Sequence, residues 1–406
     1  MLNKKGQREL AYVVTVDNVI PIEGADRVEQ AIVGGWHIMV KKDQFKPGDL
    51  AVYFEIDSKV PAEEPFMFLA QKHFIIKTQK YFKGTVLSQG LLMGLKDFPQ
   101  IFDEDLGGMF YKKGGKPVAA GDFLTEILKV KYSVAEDNKR KGNGPDKYEK
   151  MAMRHSKLFK TNKFIKWLYQ YNIGKKILFI FLGKKRDKRN WPQWVVKTDE
   201  ERCQNLSYLF PGNETKWIVT EKIDGSSTTF TLKREGKKSD YYVCSRNVCF
   251  DTPEKADKCY YDSNIYLEMN EKYNIEEVLN DILNKNKDLI FVTLQGETYG
   301  ATVQQRTYGL EGRDFAAFNL IYGYKDGTTK RLNPYEMAKV LADYYVPFVP
   351  ILDTITLPNT CEDLLAYAAG ASKIDGGMRE GIVLRTEDGA MSFKAVDNEF
   401  LLKYHS

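Results

Sequence analysis

Over about residues 8–130 the chain is cut into short β-rich runs, and that spacing limits the fold more than any other feature. The runs are Leu10–Val16, Gln30–Val33, His37–Val40, Leu50–Ile56 and Gly84–Met93. Gly34-Gly35, Pro47-Gly48 and Asp57-Ser58 punctuate them, and each pair suits a tight turn. Several short strands at this interval predict a small β-barrel of the OB type, with a generic β-sandwich as the alternative.

The pattern changes twice more. Gly142, Gly144 and Pro145 mark a loop, followed by a basic stretch containing Arg154, Lys157, Lys160, Lys163, Lys166, Lys175, Lys176, Lys184, Lys185, Arg186, Lys188 and Arg189, opposed by Asp187. Phe159, Phe164, Trp167, Leu168 and Tyr171 fall between these charges, so an amphipathic helix is expected. It serves either as a phosphate-tracking surface with rings for bases, or as a solvated helix that packs its aromatic side. From about Trp194 onward strands and helices mix. Lys216–Glu221 and Thr228–Lys233 read as strands joined by a tight turn, and Leu289–Gly296 as a further strand. Asn274–Asn284 and Asn333–Ala342 read as helices. Gly381–Arg385 and Ala390–Lys394 form a hairpin across Glu387-Asp388-Gly389. Glu297 and Glu380 then fall at strand or loop edges.

With 43% hydrophobic residues in 406, the chain has enough apolar surface for two domains. Its net charge of +5 suits a nucleic-acid partner without requiring one. Cys203, Cys244, Cys249, Cys259 and Cys361 form no CxxC, and none has a histidine at metal-ligand spacing, so buried free thiols are expected. His37, His73, His155 and His405 belong to no cluster. The N-terminus has no apolar signal core, and Ile177–Leu182 is too short to cross a bilayer. An intracellular location, cytoplasmic or nuclear, with no membrane partner, is the expectation.

Lys222-Ile223-Asp224-Gly225 carries the chemistry. A lysine attacks a nucleotide α-phosphate only as the neutral amine, so it needs nearby cations or a metal to depress its pKa. Asp224 in an extended segment would share the face of Lys222 and hold metal-bound water, and Gly225 would let the chain turn. Alone the motif is weak, since roughly one chain in ten of this length contains it by chance. Its weight comes from the residues that follow in order. They are Arg246 in Ser245-Arg246-Asn247, Glu297 in Gln295-Gly296-Glu297-Thr298, Phe318 before Asn319, Glu380 in Glu380-Gly381-Ile382-Val383, and Lys394 in Ser392-Phe393-Lys394-Ala395.

This ordered set resembles the covalent nucleotidyltransferase superfamily of DNA ligases, RNA ligases and capping enzymes. Within it the chain is most similar to ATP-dependent RNA ligases with an N-terminal OB module. Pro21-Ile22-Glu23-Gly24-Ala25-Asp26-Arg27, Gly35-Trp36, Phe45-Lys46-Pro47-Gly48-Asp49, Tyr53-Phe54-Glu55-Ile56-Asp57, Ser88-Gln89-Gly90 and Lys197-Thr198-Asp199-Glu200-Glu201-Arg202 carry that likeness. The resemblance implies an α+β architecture. Residues 1–130 form an OB-like barrel module, 131–193 a basic, partly helical insert, and 194–406 an ATP-grasp-like nucleotidyltransferase domain of antiparallel sheets with helices.

The same resemblance implies the roles. Lys222 forms lysyl-AMP, Arg246 binds ribose or a 5′-phosphate, and Phe318 stacks on adenine. Asp224, Glu297 and Glu380 position the waters of Mg²⁺ or Mn²⁺, Glu297 also meets the ribose, and Lys394 holds the α-phosphate. It further implies a monomer that joins RNA 3′-OH and 5′-phosphate ends in RNA repair, with a nicked duplex, a broken tRNA loop and free single-stranded ends all open as substrates. A GTP-dependent capping guanylyltransferase and a non-enzymatic RNA-binding protein are the alternatives. Ser392 departs from the family pattern, which often places a lysine there; Lys403 is one candidate to replace that charge.

Overall fold

The computed structural model describes residues 8–106, 109–112, 115–133, 148, 151–152, 156–182, 188–236, 238–250 and 264–404. The loop at Gly142, Gly144 and Pro145, together with Arg154, Lys184, Lys185, Arg186, Asp187, Cys259, His155 and His405, lies outside the described residues. Contacts divide the chain into two compact units. One comprises Met1–Asn138, Asp199–Asp224 and Val349–Ser406, and the other Lys139–Thr198 and Gly225–Phe348.

In the first unit, the N-terminal module builds two three-stranded antiparallel sheets. Ala11–Thr15, Leu50–Phe54 and Leu91–Gly94 form one; Asn18–Pro21, Val28–Val33 and Trp36–Lys41 form the other. Gly34 and Gly35 both take positive φ, as a two-residue hairpin turn between Val33 and Trp36 requires. The run expected as one strand over Gly84–Met93 is two, Val86–Ser88 and Leu91–Gly94. Gly90 divides them at φ +100°, and a Cβ there would lie 2.5 Å from the Tyr53 ring.

The same unit holds a five-stranded sheet in the order Glu201–Arg202, Ser392–Val396, Gly381–Thr386, Trp217–Lys222, Ile351–Ile355. The hairpin expected across Glu387-Asp388-Gly389 is there, with Val383 opposite Lys394. Glu201–Arg202 joins in parallel beside Lys394. Helix Cys361–Ala368 covers one face through Cys361, Leu364 and Ala368, over a core that includes Trp217, Val219, Ile382 and Phe393. The N-terminal module packs here too: the Arg202 guanidinium stands 5.7 Å from the centre of the Trp36 ring.

The second unit is built on a seven-stranded sheet whose long members are Lys238–Ser245, Ser226–Glu235, Leu289–Gly300 and Arg313–Tyr324, adjacent in that order. Helix Ile275–Lys285 buries Ile275, Val278, Leu279, Ile282 and Leu283 in the core beneath this sheet. That is one helical face, and each such side chain contributes about 1.5–3 kcal/mol on burial. A helix not expected from periodicity, Ile265–Tyr273, precedes it, and Asn274 in the left-handed region separates the two. Asn333 caps helix Pro334–Ala342 through a capping box with Glu336.

One expectation fails. Trp217–Lys222 and Ser226–Glu235 are not paired, because each belongs to a different sheet. Ile223 to Gly225 form no hairpin turn; they carry the chain from one unit into the other.

Candidate active site

In the first unit, Lys222 is the last residue of its strand and faces Gly381 across the ladder. Glu380 immediately precedes that neighbour, so strand register alone sets the two side chains together. Lys222 Nζ donates to Glu380 Oε2 at 2.7 Å, and the Glu380 side chain is only 8% exposed. Arg379 anchors the approach to Glu380. Its Nε donates to Ala368 O at 2.7 Å and its Nη2 to Tyr367 O at 2.7 Å, binding the C-terminal carbonyls of the covering helix. Glu221, one residue before the lysine, accepts from Ser372 Oγ at 2.5 Å and Lys373 N at 2.8 Å.

Lys394 completes this cluster. Its ammonium is pushed down to about 8, first by burial and then by the charges of Lys222 and Arg202. Asp199 Oδ1 at 3.6 Å only partly offsets this. Burial likewise lowers the Arg202 guanidinium, whose Nη1 is buried without a hydrogen-bond partner among the described residues. A buried orphan donor beside Lys394 fits an incoming anion with three acceptor oxygens. Ser392 donates to Glu200 Oε2 at 2.7 Å, and Glu200 Oε1 lies 3.7 Å from Arg385. The cations acting on Lys394 are therefore Lys222 and Arg202. Lys403, the candidate from sequence, stands over the Tyr404 ring at 5.1 Å.

Asp224 is buried and follows directly on the end of the strand. Lys222 has a carboxylate partner in Glu380, and burial with neighbouring charge pushes Lys394 toward neutrality.

In the second unit, Gly225 opens the way into Ser226–Glu235, and its role is close approach. A Cβ there would lie 2.4 Å from Thr298 O and 2.9 Å from Glu297 Cγ. Glu297 sits within the strand Leu289–Gly300, opposite Ser227, and not at its edge. Arg246 is exposed and follows the hairpin strand Lys238–Ser245. Phe318 is the extra residue of a β-bulge, since Gln295 pairs with Asn319 while Gly296 pairs with Ala317. Phe315, Ala317 and Leu320 are buried around it, whereas Phe318 is half-buried. The bulge re-aims one ring out of the core pattern.

The four described cysteines are free and buried, as expected. His37 contacts Gln30 Oε1 at 3.2 Å through Nδ1, and burial lowers its pKa.

A family model described as RNA ligase matches residues 215–405, and one for an OB-fold domain matches residues 10–95. Over residues 215–405 the chain is similar to the RNA ligase family. Solved structures of the RNA ligase of Naegleria gruberi resemble it over nearly its whole length. A lysine-to-alanine variant of that ligase with ATP and Mn shares 27% identity at a TM-score of 0.63, covering 97% of this chain and 99% of that one. The same ligase with pyrophosphate shares 28% identity at 0.62, covering 98% and 99%. A lysine-to-methionine variant with AMP and Mn gives 28% and 0.63, covering 98% and 99%. No curated protein matches the chain. The fold expected from sequence, an N-terminal OB module with a C-terminal α+β domain like that of RNA ligases, is the fold observed.

Proposed function

We propose that this ligase seals RNA in three nucleotidyl transfers that begin on Lys222. The observation that carries the reading is the Lys222–Glu380 pair, held beside Lys394 and Arg202 within the residues matched to the RNA ligase family or adjoining them. ATP is the nucleotide, a reading supported by the ATP, AMP and pyrophosphate complexes of the Naegleria gruberi enzyme. First, the Lys222 amine attacks the α-phosphorus of ATP; an N–P bond forms, the bridging P–O bond breaks and pyrophosphate leaves. Glu380 Oε2, already hydrogen-bonded to Nζ, is an acceptor in place for the departing proton. Lys394 and Arg202 stabilise the charge gathering on the phosphoryl oxygens. Next, an RNA 5′-phosphate oxygen attacks the same phosphorus, releasing Lys222 and giving a 5′–5′ pyrophosphate. Finally, a 3′-OH attacks the RNA phosphorus, AMP leaves and a phosphodiester forms.

Asp224 and Glu380 are hard oxygen donors, suited to hold the waters of Mg²⁺ or Mn²⁺, and Glu297 is the third such group by motif order. The metal would neutralise phosphate charge when bound. Motif order also supports Arg246 as the ribose or 5′-phosphate ligand and Phe318 as the adenine platform; the bulge that lifts Phe318 from the core adds to the second. Residues 194–406 are read as the adenylylation domain, acting as a monomer on ends such as those of a nicked duplex. The test is sealing of nicked duplexes and of single strands, with RNA or DNA supplying the 3′-OH. ATP-dependent joining that favours an RNA 3′-OH is expected. Labelling by GTP in place of ATP would overturn the assignment.

A further inference from the structure

The basic insert lies outside both matched domains, which span 10–95 and 215–405. Its helices Lys163–Tyr169 and Asn172–Leu182 meet at a short link, with Asn162 capping the first. The second helix buries Gly174 and Leu178 but turns Ile173, Ile180 and Phe181 outward, 73%, 75% and 80% exposed. Spaced by seven and one, these lie on one face over two turns. On the first helix Phe164 and Trp167 are also exposed, their rings 5.9 Å apart. Residues 156–182 carry six lysines and no Asp or Glu.

We propose that this hairpin rests on an anionic lipid surface. Ile173, Ile180 and Phe181 enter the acyl boundary, Trp167 sits at headgroup depth, and Lys163, Lys166, Lys175 and Lys176 meet the lipid phosphates. Three physical points select this occupant. RNA bases stack on rings but gain little from exposed isoleucines, which are the most prominent part of the face. A second copy of the chain would bring a face of the same positive charge. An anionic bilayer takes both the aliphatic stripe and the lysines. The second helix is about 16 Å long against a hydrocarbon core of about 30 Å, so it lies on the surface and does not span. The expectation of no membrane partner rested on spanning segments, and this geometry needs none.

Flotation of the full-length protein with vesicles of phosphatidylcholine, alone or mixed with phosphatidylglycerol, tests the proposal. At least about tenfold more protein is expected to float with the anionic vesicles, and high salt should reduce it. The triple variant Ile173→Asp, Ile180→Asp, Phe181→Asp should stay in solution and still form its adenylate. Replacing Lys175→Gln and Lys176→Gln, which leaves the apolar face intact, should weaken anionic-vesicle binding by about tenfold. Wild-type protein that does not float, or variants that float unchanged, overturn the proposal. So does a triple variant whose only loss is RNA affinity in a gel shift, or dimer formation in sedimentation.

Discussion

Lys394→Met should stabilise the protein at neutral pH while removing its activity. The wild-type ammonium is pushed from 10.5 to about 8 by burial and by Lys222 and Arg202. A shift of that size corresponds to roughly 3 kcal/mol of strain on the charged form, an upper bound for what the neutral side chain relieves. The exposed Asp199, 3.6 Å away, returns little of it. The pH dependence follows from the direction of the shift. Between about 8 and 10.5 the unfolded chain holds a proton on Lys394 that the folded chain has released, so wild-type stability rises with pH across that window. The penalty is fully present below it. Urea unfolding of both proteins, followed by tryptophan fluorescence at pH 7 and pH 10, measures the difference. The variant should be more stable at pH 7 by as much as about 3 kcal/mol, with the gap closing by pH 10. A variant less stable at pH 7, or a gap independent of pH, would refute the picture of a crowded cationic cluster.

Glu380→Ala should slow lysine adenylylation by about a hundredfold, read as initial label incorporation, because Nζ loses its acceptor at 2.7 Å. Gly225→Ala should cost about 1–3 kcal/mol in urea unfolding, since the added Cβ would press on Thr298 O at 2.4 Å. Phe318→Ala should raise the KM for ATP by about tenfold with little change in unfolding midpoint, whereas Phe318→Trp should largely retain affinity. A core role for that ring would instead show as lost stability.

Much of the fold was legible because turn chemistry is local. Gly34-Gly35 and Glu387-Asp388-Gly389 mark their turns, and the helix read over Asn333–Ala342 is there as Pro334–Ala342. What failed was pairing over distance. The strands around Lys222 and Ser226 are each readable, but periodicity carries no statement of which sheet a strand joins, so a tight turn between them does not reveal that the chain changes units there. The bulge at Phe318 was invisible for a related reason: it exists only as one extra residue against the partner strand. Arg202 was noted as part of a family resemblance, not as a neighbour of Lys394. Its place is set by a parallel bridge formed across nearly two hundred residues, which no local pattern announces. The Lys222–Glu380 contact was likewise unreadable as geometry, although motif order had named both residues.

The central claim is that Lys222 carries AMP covalently. Incubation with α-labelled ATP and Mg²⁺ or Mn²⁺, followed by denaturation, tests it directly. Label should remain on the wild-type chain, be discharged by pyrophosphate, and be absent from Lys222→Ala. Label retained equally by that variant, or none on the wild type, would contradict the account.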